Sequence, residues 1–213
     1  ARKNYIYTYP FSSIHKKDIV YRTDEEKTAM KQKLGIASDN VVLSVGQFIH
    51  RKGYDILLKA AAQMDKTIKW IVIGGQPTQE YKELMETYKI NNVEFMDFME
   101  PRELYEYFIA ADLFVLPTRE DIWGLVVNEA VAFGLPVVTT DRCIAGNEII
   151  QDGVNGVIVK ANSVEDFKAG VEYALSSKFK NEFNRSDAIS IALKYTIENM
   201  AKTHADIFSR IKG

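Results

Sequence analysis

Cysteine occurs once in these 213 residues, at Cys143, so a disulfide framework is excluded and a reducing, cytoplasmic compartment fits. With no histidine partner close in sequence, Cys143 reads as a core residue and not a nucleophile. Histidine is nearly as scarce. His15, His50 and His204 show no metal-ligand spacing, and each reads as a surface or packing residue. No apolar run approaches the ~18 residues of a membrane span, and no signal peptide is visible. Basic amphipathic stretches that would claim a membrane surface are also missing. The net charge is −2, too small for a field that gathers nucleic acid, and no RNA-recognition or zinc-finger signature is present. There is no Walker loop, no internal repeat and no Asp-x-Asp pair to carry a divalent ion to a diphosphate. A first residue of Ala1, not Met, leads us to expect a fragment or an isolated domain.

What is present is a core former. Hydrophobic residues make up 46% of the chain, and its length fits one domain of roughly 150–200 residues plus extensions. Apolar runs at Val41–Gly46, Ile68–Gly74, Val93–Met96, Leu113–Leu116, Val137–Thr140 and Val157–Val159 predict strands. Amphipathic stretches predict helices at Gly53–Met64, Thr78–Tyr88, Pro101–Ala111 and Gly124–Phe133. Thr78 is expected as an N-cap, and Pro101 suits a first turn. Ser163 with Asp166 resembles a capping box opening a helix to about Leu175. Strands rich in Val, Ile and Leu, each followed by a helix, imply an α/β fold with a doubly wound, Rossmann-like parallel sheet. Residues 23–195 would form this domain. Residues 1–22, with Tyr5, Tyr7, Tyr9, Pro10 and Phe11, form an extension or linker leading to a helix near Asp24–Leu34. Residues 196–213 carry a helical stripe from Ile197 to Ile211 that needs a surface, on this domain or on a missing one.

Two loops draw attention. The first runs Gly46-Gln47-Phe48-Ile49-His50-Arg51-Lys52-Gly53, with two cations just before a helix start. Free amides, the helix dipole and those cations make an anion site, although taken alone the loop is equally a solvated basic turn. The second loop begins at Thr118 and runs through Glu120, Asp121, Ile122 and Trp123 to Gly124, where the amides of Leu125 and Val126 open a helix. Both loops follow strands, so both fall on one edge of the sheet, where a diphosphate could lie between the helix ends. Asp121 and Glu129 flank the second turn and suit sugar hydroxyls. Separately they are a turn residue and a helix-start acid. A general acid/base dyad is the weaker alternative, because nothing adjacent activates water. Trp70 belongs to the core, while Trp123 is placed to line a pocket.

The ordered set Val45-Gly46-x-x-x-x-Arg51-Lys52-Gly53, Ile73-Gly74-Gly75, Val93-x-Phe95, Ala111-Asp112-x-Phe114-Val115-Leu116-Pro117, Gly124-Leu125-Val126-x-x-Glu129-Ala130 and Gly134-x-Pro136-Val137-Val138 resembles the group 1 (family 4-like) retaining glycosyltransferases of GT-B architecture. Asp152-Gly153-Val154-Asn155-Gly156 resembles that family's late turn. The match runs from about Asn40 to Leu175. It implies the carboxyl-terminal, nucleotide-sugar-binding half of such an enzyme, with a missing amino-terminal half that binds the acceptor. It also implies that Lys52 holds the diphosphate and Glu129 the ribose. Asp121 and the amides from Trp123 to Leu125 would meet hexose and phosphate, and the base would stack around Met96, Phe98 and Met99. No metal or other cofactor is expected, so Arg51, Lys52 and helix amides would carry the leaving charge. The family commonly has Arg where Gln47 stands, and Arg51 is expected to compensate. Its first acid is usually Glu, where this chain has Asp121 preceded by Glu120, so the acid that meets the hexose is left open between the two. The expected donor is a UDP-sugar and the expected setting cell-surface polysaccharide synthesis, with the full enzyme peripheral at the inner membrane face. The alternatives are a non-catalytic nucleotide-binding module and half of a nucleotide-sugar epimerase.

Overall fold

The structure is a computed structural model and describes residues 6–212; Tyr5 lies outside the described residues. Six strands form one parallel sheet: β1 (Val41–Val45), β2 (Lys69–Ile73), β3 (Val93–Met96), β4 (Leu113–Leu116), β5 (Val137–Thr140) and β6 (Gly156–Val159). Their order is β3-β2-β1-β4-β5-β6, with every pairing parallel. The connecting helices are α1 (Asp24–Lys33), α2 (Tyr54–Gln63), α3 (Gln79–Thr87), α4 (Pro101–Ala110) and α5 (Leu125–Ala132). After them come α6 (Ile144–Ile149), α7 (Val164–Leu175), α8 (Ser177–Glu182), α9 (Arg185–Ala192) and α10 (Ile197–Lys212).

Strand side chains alternate between faces, which splits the apolar residues into two cores. Val41, Leu43 and Val45 of β1 join Phe114 and Val137 under residues of α4, α5, α6 and α9, among them Phe108, Val131, Ile149 and Ala188. Val42, Trp70, Val72, Val115 and Val138 face the other way, against Leu58, Tyr81 and Phe167 of α2, α3 and α7. Burying each such large side chain contributes about 1.5–3 kcal/mol, so the doubly wound arrangement follows from strands that are apolar on both faces.

The expected strands and long helices form, with ends that shift by a residue where caps take over. Thr78 caps α3 by accepting the Tyr81 amide. The Ser163 capping box is only half made: Ser163 accepts the Asp166 amide, and no return bond from Asp166 is formed. Asp is one methylene shorter than the Glu that usually reaches back. A complete box stands instead at Thr23 and Glu26, opening α1. Three short helices, α6, α8 and α9, are absent from the sequence expectation, since six to eight residues show too little of the 3.6-residue period.

Residues 9–16 pack against α10. Ile14 enters the first core, and its carbonyl accepts the Ile197 amide at 2.9 Å. Glu198 at the start of α10 accepts the Lys16 amide and faces the His15 ring at 3.1 Å. The Tyr9 and His204 rings lie 4.1 Å apart. Phe208 and Ile211 remain exposed on α10. Among the described residues, no helix is long and apolar enough to cross a membrane.

Candidate functional site at the carboxyl edge of the sheet

Strand order reverses between β1 and β4, so the loops that leave these neighbouring strands diverge to opposite faces and leave a crevice between them. The first loop ends in one 3-10 turn, His50–Lys52, closed by Gly53 with φ 72° and ψ 26°. A Cβ at Gly53 would stand 2.0 Å from the Pro117 carbonyl oxygen of the second loop, so glycine permits the two loops to touch. The contact is then cross-bonded. The Arg119 amide donates to the Arg51 carbonyl at 2.7 Å, and the Thr118 hydroxyl donates to the same oxygen at 2.8 Å. Arg119 also grips Asp55 of α2 with both terminal nitrogens at 2.8 Å and reaches the His50 carbonyl and Asn162. Burial alone would raise the Asp55 carboxyl, but Arg119 and Lys59 hold it below the usual range. Arg119 carried no signal in the sequence, because its partner lies 64 positions away and neither belongs to a motif.

This folding brings Lys52 and Asp121 together across 69 residues. The Lys52 ammonium lies 2.5 Å from Asp121 Oδ2, with both side chains nearly buried. Arg51 approaches Asp121 Oδ1 at 3.7 Å and donates to the Glu120 carbonyl at 3.3 Å. Asp121 therefore sits between two cations. Its backbone is fixed as well, by a one-residue bridge to Cys143 after β5 and by donation of its amide to the Arg142 carbonyl. The Glu120 residue is exposed, and Gln47 is exposed on the facing loop beside half-buried Gly46.

Gly124 opens α5 with φ 98°, and a Cβ there would lie 2.7 Å from Cys143 Sγ. Leu125 and Val126 form the first turn, whose amides lack carbonyl partners one turn back in the helix. One turn in, Glu129 accepts the Ser13 hydroxyl at 3.1 Å, its one side-chain hydrogen bond among the described residues. Burial pushes the Glu129 carboxyl above its ordinary value, partly offset by Ser13. Trp123 is half-buried; its ring N–H donates to Asn128, and it borders a cleft of about 690 Å³ between residues 7–10 and α10. Met96 is half-buried, and Phe98 is 80% exposed on the loop after β3. Cys143 is fully buried, which raises its thiol above the usual value. Among the described residues, no group of three or more His, Cys, Asp or Glu side chains is placed to hold a metal ion.

A parallel sheet with two glycine-opened helices and a cation–carboxylate cluster at its switch point defines a Rossmann-like α/β domain with a polar crevice at its carboxyl edge. The family model for glycosyl transferases group 1 matches residues 26–190, and the chain belongs to that family. A D-inositol 3-phosphate glycosyltransferase of Geodermatophilus obscurus is 31% identical over 172 residues, which cover 73% of this chain and 38% of that protein. An uncharacterized glycosyltransferase of Methanocaldococcus jannaschii is 28% identical over 192 residues, 86% of this chain and 48% of that one. The chain thus spans about half the length, or less, of these relatives. Among solved structures, Anabaena HepE in complex with UDP and glucose superposes with a TM-score of 0.78 at 22% identity, over 89% of this chain and 53% of that one. WaaG, a glycosyltransferase involved in lipopolysaccharide biosynthesis, superposes with a TM-score of 0.71 at 24% identity, over 93% and 54%. These structures share the fold, that of GT-B glycosyltransferases.

Proposed function

We propose that this chain is the donor-binding half of a retaining glycosyltransferase that moves a hexose from a nucleoside diphosphate sugar, in the first instance a UDP-sugar, to a glycan or lipid-linked acceptor. The observation that carries this reading is the meeting of the β1 and β4 loops, which sets Lys52, Arg51 and Asp121 beside the start of α5. In this reading Lys52, Arg51 and the amides of Leu125 and Val126 take the diphosphate, with Gly46 and Gln47 beside it. Glu129 accepts the ribose hydroxyls, and Met96 and Phe98 flank the base. Asp121, not exposed Glu120, meets the hexose next to Trp123 and Gly124. The UDP and glucose carried by Anabaena HepE, which shares this fold, support the donor class.

The chemistry asked of these groups is electrostatic. The bond between the anomeric carbon and the diphosphate oxygen breaks, and its electron pair leaves on that oxygen. The Lys52 and Arg51 charges and the helix amides stabilise the leaving anion in place. The acceptor oxygen then bonds to the same face of the carbon, and its proton passes to the departing phosphate oxygen. No transfer is expected from this chain by itself, since in this reading a second domain supplies the acceptor side.

Calorimetric titration with UDP, GDP and ADP, with and without magnesium, tests the assignment. Metal-independent binding of one nucleotide, weakened at least tenfold in Lys52→Ala, is the expected result. Equal affinity in the variant, or no binding of any of the three, would overturn it.

A further inference from the structure

Asp121 and Asp55 each pair with a cation, whereas among the described residues Glu129 forms no ion pair and its carboxylate accepts a side-chain hydrogen bond from Ser13. Ser13 comes from a segment 116 residues earlier, before α1 and the first strand. That segment is laid across the start of α5 with several fixings. Ser12 and Ile14 are buried, and the Ser12 hydroxyl accepts the Ile14 amide at 3.0 Å in a local turn. The Phe11 carbonyl accepts the Asn128 side-chain amide at 3.1 Å, and the Phe11 ring meets Trp123 edge-on at 6.1 Å. Asn128 also accepts the Trp123 ring N–H, so one side chain links the segment, the tryptophan and the residue before Glu129. Farther along, the Val20 amide donates to the Ala132 carbonyl at the end of α5.

The alternation through Phe11, Ser12, Ser13 and Ile14 is exposed, buried, exposed, buried. Ser12 and Ile14 anchor the segment on either side of a bend at Ser13, whose side chain is left outward. Ser13 is one of the outward residues, and it spends its hydroxyl on Glu129. One donor on Oε1 leaves further lone pairs of the carboxylate for a ligand and restrains its orientation.

We propose that residues 11–14 are a working part of the nucleotide site, in which Ser13 positions the Glu129 carboxylate to accept two vicinal ribose hydroxyls. This rests on the assignment of Glu129 to the ribose. A carboxylate held by a single hydrogen bond in a half-buried place has other rotamers open to it once that bond is gone. Loss of Ser13 therefore removes orientation and not a ligand contact. The effect falls on hydroxyl recognition and leaves the diphosphate contacts alone. Because Ser13 is exposed, its replacement leaves no cavity and the fold stands.

The test measures affinity for UDP, GDP and ADP against their 2′-deoxy forms, in the parent chain and in Ser13→Ala, Ser13→Thr, Glu129→Ala and the Ser13→Ala/Glu129→Ala pair. For whichever ribonucleotide binds, the parent chain should favour it over its deoxy form by roughly tenfold to a hundredfold, the usual worth of one hydrogen bond to a charged group. Ser13→Ala should lose most of that preference while its affinity for the deoxy form stays within about twofold, and Ser13→Thr should restore the preference. The double variant should match Glu129→Ala. If Glu129→Ala abolishes the preference and Ser13→Ala keeps it, the positioning role fails and the ribose assignment stands. If Ser13→Ala weakens both forms equally, Ser13 is structural and the proposal is overturned. If Glu129→Ala keeps the preference, the ribose assignment falls and the proposal falls with it.

Discussion

The Lys52–Asp121 pair invites a double-mutant cycle in Lys52→Met, Asp121→Asn and the two combined. The side chains are 11% and 10% exposed and 2.5 Å apart. Removing one partner of a buried pair typically costs about 3–5 kcal/mol, because the other charge is left without compensation. Here Arg51 stays 3.7 Å from Asp121 and is 46% exposed, so the carboxylate of Lys52→Met keeps one solvated cation. We expect a loss of about 2 kcal/mol for that variant. Asp121→Asn leaves Lys52, whose flexible stem lets the ammonium reach water, for a loss of about 1 kcal/mol. The combined variant has no stranded charge and should be more stable than the sum of the two losses requires, by at least ~1 kcal/mol of coupling. Urea unfolding at neutral pH without nucleotide reads this out, with the slope unchanged across the set. Additivity within about 0.3 kcal/mol would refute the pair as an energetic unit. The same variants bear on binding: a phosphate arriving at Lys52 must compete with the carboxylate already there, so bare UDP should bind Asp121→Asn more tightly than the parent chain.

Two further outcomes follow from particular contacts. Gly124→Ala forces a side chain into φ 98° and sets its Cβ 2.7 Å from Cys143 Sγ; a loss of about 2–3 kcal/mol is expected in thermal or urea unfolding, combining backbone strain and overpacking, and adding Cys143→Ala should recover part of it. Burial alone would raise the Asp112 carboxyl, but Lys31, Lys27 and the Val41 amide outweigh it, and its pKa lies below the ordinary value. A depressed carboxyl stabilises the fold above its unfolded pKa, and that stability is lost as pH falls through the folded value. Asp112→Asn should therefore be less stable than the parent at pH 7, with the gap closing toward pH 3; a gap constant across that range would refute the assignment.

The sheet was legible because burial on both faces writes itself as runs such as Val41–Val45 and Leu113–Leu116. The glycines at 53 and 124 were legible as openings of α2 and α5, and both hold left-handed backbone. That Lys52 and Asp121 belong to one edge was readable from strand endings; that they pair with each other was not, since a contact over 69 residues leaves no periodic trace. The same holds for Arg119 with Asp55 and for Ser13 with Glu129. The first segment, read as linker, supplies Ile14 to the core through a two-residue alternation too short to stand out among polar neighbours. Helices α6, α8 and α9 were hidden for the related reason that two turns hardly sample a period.

The loops after β1 and β4 are cross-bonded through Arg119, Thr118 and the Gly53 contact, and the turn after β5 joins them through Asp121 and Cys143. The end of β3 is attached differently, by the Gly74 and Gly75 amides on the Met96 carbonyl and by Gln76 on Asp97, with Gly74 lying against Gly46 and Phe98 exposed. Under the proposed assignment, the grip on the constant part of a donor and the recognition of its base fall to different loops, which touch through the Phe48 and Phe95 rings. A lineage could then drift from one nucleobase to another by rewriting Met96 and the residues just after it, leaving Lys52, Arg51 and Asp121 in place. Selection for a new base and selection for the diphosphate grip would act on different stretches of the gene.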